Sequence, residues 1–167
     1  VFSSTTAVYG NPVEMPIHEG LPRCPVNPYG WTKYIVEEML SHYCQSYEFA
    51  CVALRYFNAA GAAADGTIGE SHDPESHLIP LVLQVALGQR ESITLFGEDY
   101  PTPDGTCLRD YVHVDDLAQA HQQALEQLRP GNALYLNLGT GKGASVREVI
   151  EACRRVTDHP IPVISGE

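Results

Sequence analysis

Apolar and polar positions change period several times along this chain, and each change marks an element. Val1-Phe2-Ser3-Ser4 reads as the end of a buried strand with no turn before it. The turn cluster Tyr9-Gly10-Asn11-Pro12 follows, then a proline-rich loop through Pro16, Pro22, Pro25 and Pro28. From Tyr29 to about Glu48, Tyr29, Lys33, Val36, Leu40, Tyr43 and Tyr47 recur every three or four positions, which predicts a helix. Trp31, Ile35 and Met39 form a second apolar stripe on it that needs another cover. The nearly continuous apolar run from Phe49 to Tyr56 predicts a strand buried on both faces of a parallel sheet.

After a glycine-rich loop (Gly61, Gly66, Gly69), Leu78 to Leu87 predicts a helix that Gly88 ends in a left-handed cap. Ile93 to Phe96 predicts a short strand. Asp115 is the expected cap of a helix running to about Leu128, and Ala133 to Leu138 predicts another buried strand. Ser145-Val146-Arg147-Glu148 has the capping-box spacing, so a last helix is expected from there to about Thr157. Alternating strands and helices indicate an α/β layered fold.

Composition narrows the function. With 167 residues, 44% hydrophobic and 19% charged, the chain can bury a core. A formal charge of -11, from 21 acidic against 10 basic residues, repels a polyphosphate, so no nucleic-acid partner is expected. Five cysteines, odd in number, scattered and without a CxxC pair, argue for reduced thiols in the cytoplasm rather than disulfides or structural zinc. No run approaches the roughly 20 apolar residues of a membrane span, and no basic segment and h-region open the chain. No membrane partner is expected. The strand-like start without an initiator Met leads us to expect a chain cut at its start.

Candidate chemistry begins with Tyr29 and Lys33, four apart on one helix face and able to act on one bound molecule. A phenol ionises near pH 10, so its use as a base near pH 7 requires about 4 kcal/mol of help. One ammonium roughly 6 Å away at an effective dielectric near 20 supplies about 2.8 kcal/mol. A second positive charge, such as an oxidised nicotinamide ring, would complete the requirement. YxxxK alone is weak, because any amphipathic helix can show it. Gly139-Thr140-Gly141-Lys142-Gly143 lacks the GxxxxGK[ST] spacing and is better explained as a strand-to-helix turn. His113, Asp115 and Asp116 lack a further ligand group and suit a helix start, so no metal is expected.

Longer motifs strengthen the case. Ser3-Ser4-Thr5-Thr6-Ala7-Val8-Tyr9-Gly10 and Asn27-Pro28-Tyr29-Gly30-Trp31-Thr32-Lys33 resemble the SS[ST]xxVYG and PYGxSK pair of the extended short-chain dehydrogenase/reductases. Leu54 to Gly61, Ser76 to Pro80 and Asp104 to Leu117 resemble successive signatures of that family's UDP-glucose (UDP-galactose) 4-epimerase branch, and the resemblance covers the whole chain. It implies the second half of a Rossmann-type doubly wound parallel sheet plus most of a smaller α/β substrate-binding domain. Residues 1–58 would belong to the NAD-binding domain and 59–167 mostly to the substrate domain, with 110–140 returning a helix and a strand to the Rossmann sheet.

The resemblance also implies roles. Thr5, Tyr29 and Lys33 would be catalytic, with Thr5 on the sugar O4, Tyr29 as base and Lys33 on the nicotinamide ribose. NAD would be the cofactor, contacted by Ser3, Ser4, Tyr29, Lys33, Tyr56 and Phe57. A UDP-hexose would meet Thr5, Tyr29, Asn58, His77, Leu78, Thr94, Leu95, Phe96 and Arg109, although asparagine is familiar at the His77 position. Competing readings are a backbone-bonded hydroxyl for Thr5, strand-end packing for Tyr56, Phe57 and Asn58, and a surface salt bridge for Arg109. The glycine-rich pyrophosphate turn is not in the sequence, so the chain alone is expected neither to retain NAD nor to epimerise sugar. Within the family, the rivals are UDP-glucuronate 4-epimerases, decarboxylases and 4,6-dehydratases; dehydratases usually carry Asp-Glu where Thr6-Ala7 stand here. Outside it, the rival is a non-catalytic NAD-binding scaffold, which would commonly lack the tyrosine or lysine. The resemblance implies that the extra stripe on the helix pairs with a second subunit in a homodimer, and an internal partner is the competing reading.

Overall fold

The computed structural model describes residues 1–166. Its elements are β1 (Phe2–Thr5), a 3-10 turn (Thr6–Tyr9), α1 (Pro28–Tyr47), β2 (Cys51–Tyr56), β3 (Asn58–Ala60), α2 (Leu78–Ala86), β4 (Ile93–Leu95), β5 (Leu108–His113), α3 (Val114–Glu126), β6 (Ala133–Leu138), β7 (Gly143–Ser145), α4 (Val146–Thr157) and β8 (Val163–Ser165). They form two compact units: Val1–Ala59 with Val112–Gly141, and Ala60–Tyr111 with the residues from Lys142 onward. Among the described residues, no helix is long and apolar enough to cross a membrane.

The first unit is built on a parallel sheet in the order β1-β2-β6. Thr5 pairs with Tyr56, and Tyr56 with Leu138, so the three strands end in register. The central strand β2 is buried from Cys51 to Arg55 because both of its faces are covered. Val52 and Leu54 pack on Ala124 of α3, each burial contributing about 1.5–3 kcal/mol. The alternate residues face the other way, and Arg55 there meets Glu37 of α1.

Helix α1 starts where Asn27 accepts the Gly30 N–H at 2.7 Å and Pro28 fills the first turn. Its seat differs from the pattern expectation. The residues buried along it are Gly30, Glu37 and Cys44, a row of small or polar side chains seven apart. Tyr43 and Tyr47 of the first stripe are exposed, as are Trp31, Ile35 and Met39 of the second. Close approach explains this row: a Cβ at Gly30 would lie 2.7 Å from the Ala7 carbonyl oxygen, so only glycine lets the helix rest on the 3-10 turn.

In the second unit α2 packs on α4 around Val82, Val85, Ile93, Ile150 and Ile161. Strand β4 pairs parallel with β8, and β5 antiparallel with β7. The capping box forms as expected, with Ser145 Oγ accepting the Glu148 N–H and Glu148 accepting the Ser145 N–H. Gly88 takes a φ of 70° just beyond α2. Helix α3 departs from expectation, because its cap is His113, which accepts the Asp115 N–H at 3.1 Å. Asp115 and Asp116 lie inside the first turn, where the helix dipole favours them. Strands β3, β5, β7 and β8 carried no readable pattern; three of them are three residues long, and β5 mixes charged and apolar positions.

Candidate active site

The carboxyl ends of β1 and β2 carry Thr5 and Tyr56 side by side, with Phe57 and Asn58 following. Such ends are where open α/β sheets seat ligands. Thr5 is nearly buried, and its Oγ1 accepts the Ala7 N–H at 3.2 Å, opening the 3-10 turn. The competing reading of a backbone-bonded hydroxyl is therefore met in part. A hydroxyl that accepts one such bond still has its hydrogen to donate.

Tyr29 stands on the first turn of α1 with 55% of its surface exposed. Lys33 Nζ donates to the Ser3 carbonyl oxygen at 3.0 Å and lies 5.8 Å from the Tyr29 ring centroid and 5.2 Å from that of Phe2. This tether holds the ammonium between β1 and the tyrosine. Ser3 Oγ contacts His121 Nε2 at 3.0 Å, and His121 Nδ1 contacts the Leu117 carbonyl at 2.8 Å. A carbonyl only accepts, so Nδ1 carries the hydrogen. The neutral tautomer consistent with that bond leaves Nε2 to accept from Ser3. The His121 ring also sits 6.3 Å from the Tyr56 ring.

Beneath these residues lies a buried ion network that sequence reading missed. Glu37 is 0% exposed and Arg55 2%. Glu37 Oε1 accepts from Ser4 Oγ at 2.6 Å and Arg55 Nε at 2.8 Å, while Oε2 accepts from Arg55 Nη2 at 2.6 Å and Arg23 Nη1 at 3.2 Å. Arg55 Nη1 donates to Tyr9 Oη at 2.8 Å, and Tyr9 in turn donates to Asn137 Oδ1 at 2.8 Å. Burial pushes the Glu37 carboxyl up, but hydrogen bonds from Arg55 and Ser4 and the Arg55 charge outweigh it, holding the group below the usual carboxylate range. Ser4, expected beside the cofactor, has its hydroxyl spent on Glu37 and its side chain fully buried. The network ties β1, just before Thr5, to the helix that carries Tyr29 and Lys33. A charged residue at a helix's buried centre was the available signal, since such a group needs a partner.

The remaining expected residues lie in the second unit. His77 is exposed at the N-cap of α2 without capping it, and Leu78 packs partly against that unit's core. Thr94 is half-buried, Leu95 is 2% exposed with its side chain in the core, and Phe96 is exposed. Leu95 therefore has only backbone to offer a ligand, and its carbonyl already accepts the Gly166 N–H at 2.8 Å. Arg109 is exposed on β5 and donates to the Leu108 carbonyl at 2.9 Å. His72, Glu75 and His77 come together in the loop before α2, a group that the sequence analysis passed over.

A family model described as "NAD dependent epimerase/dehydratase family" matches residues 1–139. The chain belongs to that family. Among its relatives, the UDP-glucose 4-epimerase of Halalkalibacterium halodurans is 62% identical over 164 residues, which are 97% of this chain and 49% of that protein. The crystal structure of UDP-glucose 4-epimerase from Brucella ovis in complex with NAD matches with a TM-score of 0.92 at 50% identity, covering 98% of this chain and 51% of that one. The Bifidobacterium longum enzyme in complex with NAD+ and UDP matches with a TM-score of 0.92 at 41% identity, covering 99% and 50%. The chain spans about half the length of the family members it matches. Its fold is the α/β, Rossmann-type architecture of these structures, with parallel pairing in the β1-β2-β6 and β4-β8 sheets.

Proposed function

We propose that this chain supplies the acid/base half of an NAD-dependent UDP-glucose 4-epimerase, interconverting UDP-glucose and UDP-galactose through a 4-keto sugar. The observation that carries the reading is the seating of α1. Gly30 rests on the turn that Thr5 opens, and Lys33 is tethered to β1, so a hydroxyl, a phenol and an ammonium share one end of a parallel sheet.

The residues present fit a nicotinamide nucleotide. Lys33 offers a fixed cation with Ser3 beside it, and Tyr56 and Phe57 offer aromatic surface at the strand end. Ser4 is committed to Glu37 and is left out of this set. The chemistry that NAD supplies when bound is reversible hydride acceptance at the sugar C4. Tyr29 takes the O4 proton and gives it back, Thr5 holds O4 by a hydrogen bond, and Lys33 stabilises negative charge developing on the phenol oxygen. The ammonium lies 5.8 Å from the centre of the Tyr29 ring, near enough for its charge to favour the ionised phenol. Substrate contacts are assigned to Asn58, His77, Leu78, Thr94, Phe96 and Arg109, with Arg109 as the phosphate clamp, and buried Leu95 is left out.

Epimerisation of UDP-galactose by the complete polypeptide tests the assignment. Tyr29→Phe is expected to lower kcat by about 10²–10⁴-fold with UDP binding retained. Unchanged turnover would overturn it. The isolated chain is expected not to retain NAD, and tight binding by calorimetry would contradict that. Homodimerisation is assigned to the exposed α1 face of Trp31, Ile35 and Met39. Light scattering should show Ile35→Glu halving the mass of the complete protein; a monomeric wild type would refute the assignment.

A further inference from the structure

Within the second unit, the loop before α2 presents a cluster of ligating side chains. One ligand atom each from His72, Glu75 and His77 lies within 4.8 Å of the other two. The two imidazoles meet edge to face with centroids 5.2 Å apart. His77 Nδ1 lies 2.9 Å from Glu75 Oε1 and 2.8 Å from Glu70 Oε1. Both oxygens only accept, so Nδ1 carries the hydrogen that a bound cation would replace. Glu75 is held in place by its own chain, since its Oε1 accepts the N–H groups of Ser76 at 2.7 Å and His77 at 2.8 Å.

We propose that His72, Glu75 and His77, with Glu70 in reach of the same imidazole, form a binding site for a divalent transition-metal ion. Two imidazoles and carboxylate suit a borderline ion such as Zn2+, whereas Mg2+ and Ca2+ take oxygen-only sets. Two neutral imidazoles and two carboxylates carry the charge that offsets a divalent ion. Tetrahedral Zn2+ places its ligand atoms about 3.3 Å apart, so the triangle must contract from its present span. His72 and His77 are exposed and Glu75 partly so, which leaves the imidazoles room to turn toward the carboxylate. Thiols are poor competitors in the core, where burial and the neighbouring Cys44 push the Cys51 thiol up to about 12.

Calorimetric titration of Zn2+ into the reduced, chelator-stripped chain tests the site. One equivalent is expected to bind, with His72→Ala and His77→Ala each weakening it at least about tenfold and the double variant abolishing it. Cys24→Ser and His42→Ala should leave it unchanged, and Mg2+ should not compete. The Co2+ form should lack a sulfur-to-metal charge-transfer band. Circular dichroism confirms that the variants remain folded. Absence of saturable Zn2+ binding, undiminished binding by the double variant, or a thiolate signature in the Co2+ spectrum would overturn the proposal.

Discussion

Replacing Glu37 by Leu strands the Arg55 guanidinium, which is 2% exposed, without its bidentate partner at 2.8 and 2.6 Å. Removing one member of a buried pair costs about 3–5 kcal/mol, because the desolvated survivor loses its compensation. For a chain of this size that is a drop in Tm of roughly 6–20 °C. Removing both charges behaves differently. Glu37→Leu combined with Arg55→Met leaves no unpaired ion, and Tyr9 keeps its bond to Asn137. The double variant should therefore lose less than the sum of the singles, by about 2 kcal/mol or more. Urea denaturation followed by circular dichroism gives the three differences.

The pH dependence has a definite sign. Glu37 is held below its usual carboxylate range in the folded state, so its stabilisation is present above the unfolded value of about 4.3 and fades as pH falls through the folded one. The gap between wild type and Glu37→Leu should be constant from about pH 6 to 8 and narrow as pH falls below the unfolded value. Strict additivity of the two substitutions, or a single loss under about 0.5 kcal/mol, would show that the pair is not the unit that seats α1.

Other substitutions probe separate joints. Gly30→Ala would gain about 1 kcal/mol of helix propensity, but its Cβ would meet the Ala7 carbonyl oxygen at 2.7 Å, and overpacking of about 1–3 kcal/mol should win, lowering the urea midpoint. Gly105→Ala forces a side chain onto a φ of 78° with its Cβ 2.4 Å from the Glu98 carbonyl oxygen. It should destabilise by about 1–3 kcal/mol, read from thermal melts. Ser145→Ala removes half of the capping box and the bond to Asp104. A loss of about 0.5–2 kcal/mol is expected, with faster hydrogen exchange confined to the first turn of α4.

Local chemistry was legible in the amino-acid order. The capping box needs only Ser145 and Glu148, three residues apart, and strand β6 announces itself by apolar residues at five of its six positions, with only Asn137 polar. The spacing of Tyr29 and Lys33 likewise follows from one turn of helix. The cap of α3 was misassigned to Asp115 because His113 offers an acceptor two residues earlier, and only the backbone path decides which reaches the N–H. The spacing of His72, Glu75 and His77 was visible, but their convergence depends on the loop's course.

Tertiary structure decided the rest. Hydrophobic period located the seat of α1 only in part: Lys33, Val36 and Leu40 are half-buried while Tyr43 and Tyr47 are exposed, since that helix is seated by a glycine, a carboxylate and a thiol whose partners lie elsewhere in the chain. Glu37 has its meaning from Ser4 and Arg55, and β8 forms only because β4 lies beside it. Periodicity and capping are set by neighbours within about one helical turn and can be read from order alone. The desolvation of an ion, and the edge on which a three-residue strand pairs, depend on residues brought close only by the folded chain.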